Sequence, residues 1–162
     1  MADRSPVQIS IGGKIPIASI PDLIAMIALD QALTLGSEEP VDESHFVSGQ
    51  LLELAIAEAA GGLAENIEDF CVQHRIAFVR NSDGCRASYG AHRVVFDGCE
   101  SPRTYSLSDP GQVMLSHSLF VSFGTFEAVE AWFEEAAWTP DPISFDLNMV
   151  STSQEEGTGH GR

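Results

Sequence analysis

Apolar positions along this chain switch between a period of two and a period near 3.6, and the switches mark out its elements. Val7, Ile9 and Ile11 alternate with Gln8 and Ser10 and stop at Gly12-Gly13, which predicts a short strand. Ser19-Ile20-Pro21-Asp22 reads as a helix start, with Ser19 as N-cap, Pro21 in the first turn and Asp22 at the third position. The helix that follows, Leu23 to about Leu33, is apolar almost all round until Asp30 and Gln31. A helix of that kind is expected to be buried on more than one side, in the core or in an oligomer interface. Ser37 to Ser44 is a polar, acidic loop that contains Pro40.

The stretch from Gly61 to Gly98 predicts a helix, a strand, a turn-rich loop and a second strand. Leu63, Ile67, Phe70, Cys71 and His74 recur on one helical face, and Glu65, Glu68, Asp69 and Gln73 fall between them, towards water. Gly62 as N-cap places Glu65 near the positive end of the helix dipole, and His74 and Arg75 close the last turn, where positive charge is favoured. The period then changes: Ile76, Phe78 and Arg80 alternate with Ala77 and Val79, and Asn81-Ser82-Asp83-Gly84 is a turn signal. Val94 to Phe96 form the return strand, stopped by Asp97-Gly98, and Cys85 to His92 between them is expected as an exposed loop.

Leu51 to Ala60 satisfies both periods, since LLELAIAEAA is rich in helix formers while Leu52, Leu54 and Ile56 alternate. An internal echo favours a strand. The pattern G-x-x-E-x-[IV]-E-x-aromatic occurs from Gly62 and again from Gly124, and Leu119 to Phe123 before the second copy is strand-like. Two echoing strand–helix units would make Leu51 to Ala59 a strand as well. Thr104 to Leu107 and Gln112 to Leu115 read as two short antiparallel strands about the turn Asp109-Pro110-Gly111. The last helix, Phe126 to Ala137, places Phe126, Val129, Trp132, Phe133 and Ala136 on its packing side, with Trp132 and Phe133 as anchors. Glu127, Glu130 and Glu134 form an acidic stripe on the other side. Thr139-Pro140-Asp141-Pro142 breaks the helix, and Ile143 to Leu147 returns as an edge strand. The fold class is α+β: a mostly antiparallel sheet with about three helices packed on it. Residues 1–150 are expected to make a single α+β domain, and residues 151–162, which have no apolar content, a disordered tail.

Charge sharpens this picture. Across 162 residues there are 24 acidic and 8 basic side chains, for a net charge of −16. A phosphate backbone would be repelled, so direct DNA or RNA binding is disfavoured and a basic partner surface is favoured; solubility alone is the plainer account. The charge is also segregated. Five arginines lie between Arg75 and Arg103 against Asp83, Asp97 and Glu100, a local balance of +2 in a chain whose remainder carries −18. Either the loop presents guanidinium groups on one face, or the arginines pair with acids on neighbouring elements. Cys71, Cys85 and Cys99 are an odd count with no C-x-x-C pair, and the polar start carries no secretory signal, which together point to a cytoplasmic protein. No apolar run is long enough to span a bilayer.

Candidate chemistry is sparse. Cys85, beside Arg86, is a better nucleophile candidate than Cys71, which sits among the apolar positions of its helix. Cys71, His74, Cys85, His92 and Cys99 combine thiolate and imidazole as zinc requires, but their spacing matches no zinc module. Ser116, His117 and Asp109 have the residue types of a triad and nothing more. Neither glycine pair is followed by a phosphate-loop signature. No cofactor, metal or catalytic residue is therefore expected.

The pattern IGG-x-IP from Ile11, with IEDFCVQHRIAFVRNSDG from Ile67, resembles small acidic accessory proteins of bacterial plasmids and phages, over about the first two-thirds of the chain. That resemblance implies a product of a mobile element, many of which inhibit host defence, some by presenting carboxylates where phosphates would lie. It carries over no functional residue. The function expected is a non-enzymatic inhibitor of a nucleic-acid-handling complex, of anti-CRISPR or anti-restriction type. Glu65, Glu68, Asp69, Glu127, Glu130 and Glu134 would merge into one negative, partner-binding surface. The alternatives are a structural or regulatory interaction module, homodimeric through the first helix, and then a Cys- or metal-dependent enzyme.

Overall fold

A computed structural model describes residues 3–85, 88–108 and 111–147. It is an α+β fold built on a seven-stranded antiparallel sheet with four helices. The strands are β1 (Arg4–Gly12), β3 (Leu33–Thr34), β4 (Leu52–Ala60), β5 (Ala77–Ser82), β6 (His92–Phe96), β7 (Arg103–Leu107) and β8 (Val113–Met114), in spatial order β3-β4-β1-β5-β6-β7-β8. Two further short strands, β2 (Lys14–Pro16) and β9 (Ser144–Asp146), pair in parallel apart from the main sheet. The helices are α1 (Ile20–Leu29), α2 (Glu65–His74), α3 (His117–Phe123) and α4 (Phe126–Ala137).

Alternation along the central strands sorts the side chains into two layers. Val7, Ile9 and Ile11 of β1, Leu52, Leu54 and Ile56 of β4, Phe78 of β5 and Val94 and Phe96 of β6 share one face, and α1 and α2 cover it with Leu23, Ile27, Ile67, Phe70 and Cys71. Val79, Val95 and Tyr105 point the other way and meet Ala136, Trp132 and Trp138 from α4 and its end. Strand β5 is thus buried on both faces, which is why its sequence runs AFV without a polar break. Near its start β1 carries Pro6 at a bulge, where Ala57 and Glu58 of β4 face it, so the missing N–H leaves no gap in a regular ladder.

Leu52–Ala60 is a strand, as the echo favours, but the echo itself does not hold. The segment before Gly124 is the helix α3, so there is one strand–helix unit and not two. Ser116 caps α3 by accepting a hydrogen bond from the Leu119 amide, and Gly124 ends it at a φ of 72°. These local start and stop signals outweigh the strand preference of Leu119 to Phe123.

Other boundaries move for similar reasons. Helix α1 ends at Leu29, four residues early, because Gln31 turns left-handed (φ 56°) and redirects Leu33–Thr34 onto β4. Within the chain α1 buries one side only, through Ile20, Leu23 and Ile27, and Leu29 is exposed. Ser19 stands at its N-cap but its hydroxyl donates to the Pro16 carbonyl, since a 3₁₀ turn, Ile17–Ser19, runs straight into the helix. Ile143 is buried in the main core, and the strand after it pairs with β2, away from the edge of the large sheet. That crossing segment holds Gly12 so closely that a Cβ there would collide with the Asp141 carbonyl and Leu51. The turn predicted at Asp109-Pro110-Gly111 and the tail predicted from Ser151 lie wholly or partly outside the described residues.

The packing side predicted for α4 holds only in part. Val129 and Ala136 are buried, and Trp132 is half-buried, edge-on to Tyr105 at 5.2 Å. Phe133 and Phe126 are exposed. The anchor of the protein is the opposite layer, so Phe78→Ala, in the fully buried centre of β5, should cost about 3–5 kcal/mol. Trp132→Ala should cost clearly less, and equilibrium urea unfolding of the two variants ranks them directly.

Candidate functional site

The polar residues converge at the end of β5, on the face covered by α2. Arg80 is 2% exposed there. Its Nε lies 2.5 Å from the Glu68 Oε1 carboxylate oxygen of α2, and Nη1 donates to the Gly62 carbonyl at 2.7 Å and to His92 Nε2 at 2.9 Å. The Nε–H is not aligned on an acceptor, so its contact with Glu68 is ionic and not a formed hydrogen bond. Glu68 also accepts from the Ala64 amide, which ties the first turn of α2 to the same carboxylate. The expected cap at Gly62 is not made. The residue preceding α2 is Ala64, and Asp30, at the end of α1, caps the helix across space by accepting from the Asn66 and Ile67 amides.

His92 takes its tautomer from this arrangement. Its Nε2 accepts from Arg80 and its Nδ1 lies 3.2 Å from the Gly90 carbonyl, so the ring is neutral with the proton on Nδ1. Burial holds its pKa below the ordinary value, the nearby Arg80 guanidinium adds to that, and the Gly90 carbonyl and Glu68 oppose it. Beside it Tyr89 donates to Ser5, which meets Ser82, and Gly62 (φ 67°) fits against them because any Cβ would strike Ser82. Ser88 and Tyr89, in the loop between β5 and β6, are therefore folded back onto the start of β1, with Ser88 bonded to Asp3.

Arginines also hold the other face. Arg93 donates through Nε to the Ala136 carbonyl at 2.7 Å, through Nη2 to the Trp138 carbonyl at 2.9 Å and through Nη1 to Asn81. Arg103 bridges Glu135 of α4 and Glu100, each at 2.8 Å. Of the two accounts of the charge segregation, the structure fits the second for these three arginines: they fix α2 and α4 to the sheet.

The six carboxylates expected to merge do not. Helix α2 lies on one face of the sheet and α4 on the other, so Glu65, Glu68 and Asp69 are separated from Glu127, Glu130 and Glu134 by the sheet itself. Glu68 is committed to Arg80, while Glu65 and Asp69 are exposed. Glu127, Glu130 and Glu134 are exposed and form no ion pair among the described residues.

Next to that stripe is a feature the sequence reading missed. Helix α3 buries no residue. Phe120 and Val121 are 51% and 60% exposed, and Phe126 at the start of α4 is 67% exposed. The Ser116 cap and Gly124 stop were the available signals that this segment is a helix; its exposure had none.

The cysteine and metal candidates do not assemble. Cys71 is buried under α2, where desolvation, reinforced by Glu68, pushes its thiol pKa well up and makes it a poor nucleophile. His74, one turn on, is exposed and stacks on Phe70 at 4.1 Å. His92 is bonded to Arg80, Cys85 pairs through its backbone with Tyr89, and Cys99 is exposed at the turn capped by Asp97. Among the described residues no three His, Cys, Asp or Glu side chains group as metal ligands. Ser116 serves as a helix cap, and Asp109 lies outside the described residues. Among the described residues no helix is long and apolar enough to cross a membrane. Comparison with protein-family models, curated proteins and solved structures gave no match.

Two outcomes follow from the Arg80 cluster. Glu68→Gln leaves a buried guanidinium without its counter-charge and should lower unfolding free energy by about 3–5 kcal/mol, whereas Glu65→Gln, at an exposed site, should leave the urea midpoint unchanged. The folded state protonates His92 less readily than the unfolded chain does. Its contribution to stability is therefore complete above the unfolded value near pH 6.5 and is lost as pH falls from there through the folded value. Melting temperatures at pH 7.5 and 5.5 should differ more in the wild type than in His92→Gln, which keeps an acceptor for Arg80 without a titrating ring.

Proposed function

We propose that this protein is a non-enzymatic binding protein that occupies a basic surface on a nucleic-acid-handling partner, with the outer side of α4 as its charged contact. The observation that carries the reading is the unpaired stripe of Glu127, Glu130 and Glu134, on a chain with a net charge of −16. Three sheet arginines, Arg80, Arg93 and Arg103, are engaged within the fold and so do not neutralise that stripe. Exposed carboxylates at one-turn spacing on a fixed helix attract lysines and arginines that otherwise hold phosphates, and such complementarity speeds encounter and weakens with salt. The contact is narrower than a two-helix surface, because α2 faces the other way. An inhibitor of a restriction or CRISPR-type nuclease is its most concrete form.

Cells carrying such a nuclease, challenged with a targeted plasmid, provide the test. Expression of this protein should restore transformation, and purified protein should block nuclease binding to DNA at about one copy per complex. Replacing Glu127, Glu130 and Glu134 together by Gln should weaken that block roughly 10- to 1000-fold at low salt while leaving the melting temperature unchanged. Block at far less than one copy per target would indicate turnover and defeat the reading.

A further inference from the structure

The charged stripe does not explain why α3 and the start of α4 leave their apolar side chains in water. Leu119, Phe120 and Val121 of α3 and Phe126 and Phe133 of α4 are all at least 38% exposed. Single exposed apolar residues need no explanation, but Phe126 and Phe133 lie seven residues apart on one side of α4, beside a helix α3 that buries nothing, and that is the pattern of an interaction surface. The pair is also pre-formed. Ser116 and Thr125 cap the two helices, Gly124 sets the sharp turn between them, and the Phe123 and Phe133 rings pack on Trp132 at centroid distances of 6.3 and 4.9 Å. A partner would find the helix pair already formed, which lowers the ordering cost of binding.

The chemistry of that partner follows from what borders the apolar strip. Glu130 is four residues after Phe126 and three before Phe133, so its carboxylate flanks both rings on the helix surface, and Glu134 and Glu127 continue the charge outward. None of the three is paired among the described residues. We infer that the α3–α4 face docks a basic amphipathic helix, whose apolar side covers Phe120, Phe126 and Phe133 while its lysines or arginines meet Glu127, Glu130 and Glu134. This rests on the acidic-contact reading and names the kind of segment the partner offers. Contact with apolar groups makes affinity outlast the screening of charge, since each fully buried aromatic or aliphatic side chain is worth roughly tenfold or more in affinity.

The test uses a designed peptide of about 18 residues containing only Leu and Lys, with leucines at helical spacing along one face, and a scrambled peptide of the same composition with no apolar face. Binding to the full chain is followed by fluorescence anisotropy of the labelled peptides at low salt and at about 1 M salt, where the Debye length is about 3 Å. The patterned peptide should bind at least tenfold more tightly than the scrambled one and keep that advantage at high salt. Phe120→Ser with Phe126→Ser should abolish the advantage while leaving low-salt binding of the scrambled peptide intact. The Glu127, Glu130 and Glu134 to Gln variant should weaken both peptides at low salt. Equal binding of the two peptides, lost together at high salt, would overturn the docking inference and leave the acidic reading standing. No binding of either at low salt would overturn both. A wild-type chain that sediments as a dimer, and as a monomer after Phe120→Ser, would assign the face to a second copy and overturn the inference as well.

Discussion

A guanidinium shut inside the protein is the constraint from which the rest of this structure is best understood. Arg80 is carried by the centre of the sheet into the layer beneath α2, and a charge in that position must be matched where it stands. Glu68 supplies the counter-charge, the Gly62 carbonyl and His92 accept from Nη1, and each partner belongs to a different part of the chain. Satisfying one side chain thereby sets the seat of α2, the path of the chain into it, and the return of the loop onto β6. The tight fit of Gly62 against Ser82 and the neutral tautomer of His92 are consequences of the same packing.

Arg93 and Arg103 repeat the device on the other face, where they hold the end of α4 through two carbonyls and through Glu135. Three arginines from the middle of the chain, Arg80, Arg93 and Arg103, thus act as fastenings between the sheet and its two helix layers. The surface is left correspondingly one-sided. Glu127, Glu130 and Glu134 stand on α4 without opposite charges among the described residues, beside the apolar side chains that α3 and α4 expose. An acidic stripe beside exposed aromatic groups is suited to a basic partner with an apolar strip, and this is the sense in which fold and proposed function are connected.

Much of the fold was legible from the residues because local chemistry decides it. Val7, Ile9 and Ile11 can bury one side only if β1 alternates, and the helical apolar period with the proline-rich break after Ala137 delimits α4 as read. Leu52–Ala60 was legible only as an ambiguity, and its resolution as a strand came with an argument, the echo, that fails at α3. There the Ser116 cap and Gly124 stop were readable, but the β-branched and aromatic run between them spoke for a strand.

What the sequence determined by itself was the α+β class, most of the strands, the bounds of α4 and the excess of negative charge, all set by side-chain period, caps and composition. Only the tertiary structure decided which face of the sheet each helix covers. The register of β5 against β6 sends Phe78 and Arg80 to one side and Val79 and Arg93 to the other, so the carboxylates of α2 and α4 end on opposite surfaces. Only it decided that Asp30 caps α2 across a gap of 36 residues, and that Glu68, identical in type to the glutamates of the exposed stripe, is taken up by Arg80. An acidic residue carries the same charge wherever it lies; whether that charge faces a partner or a buried guanidinium depends on distances set by packing between segments far apart in the chain.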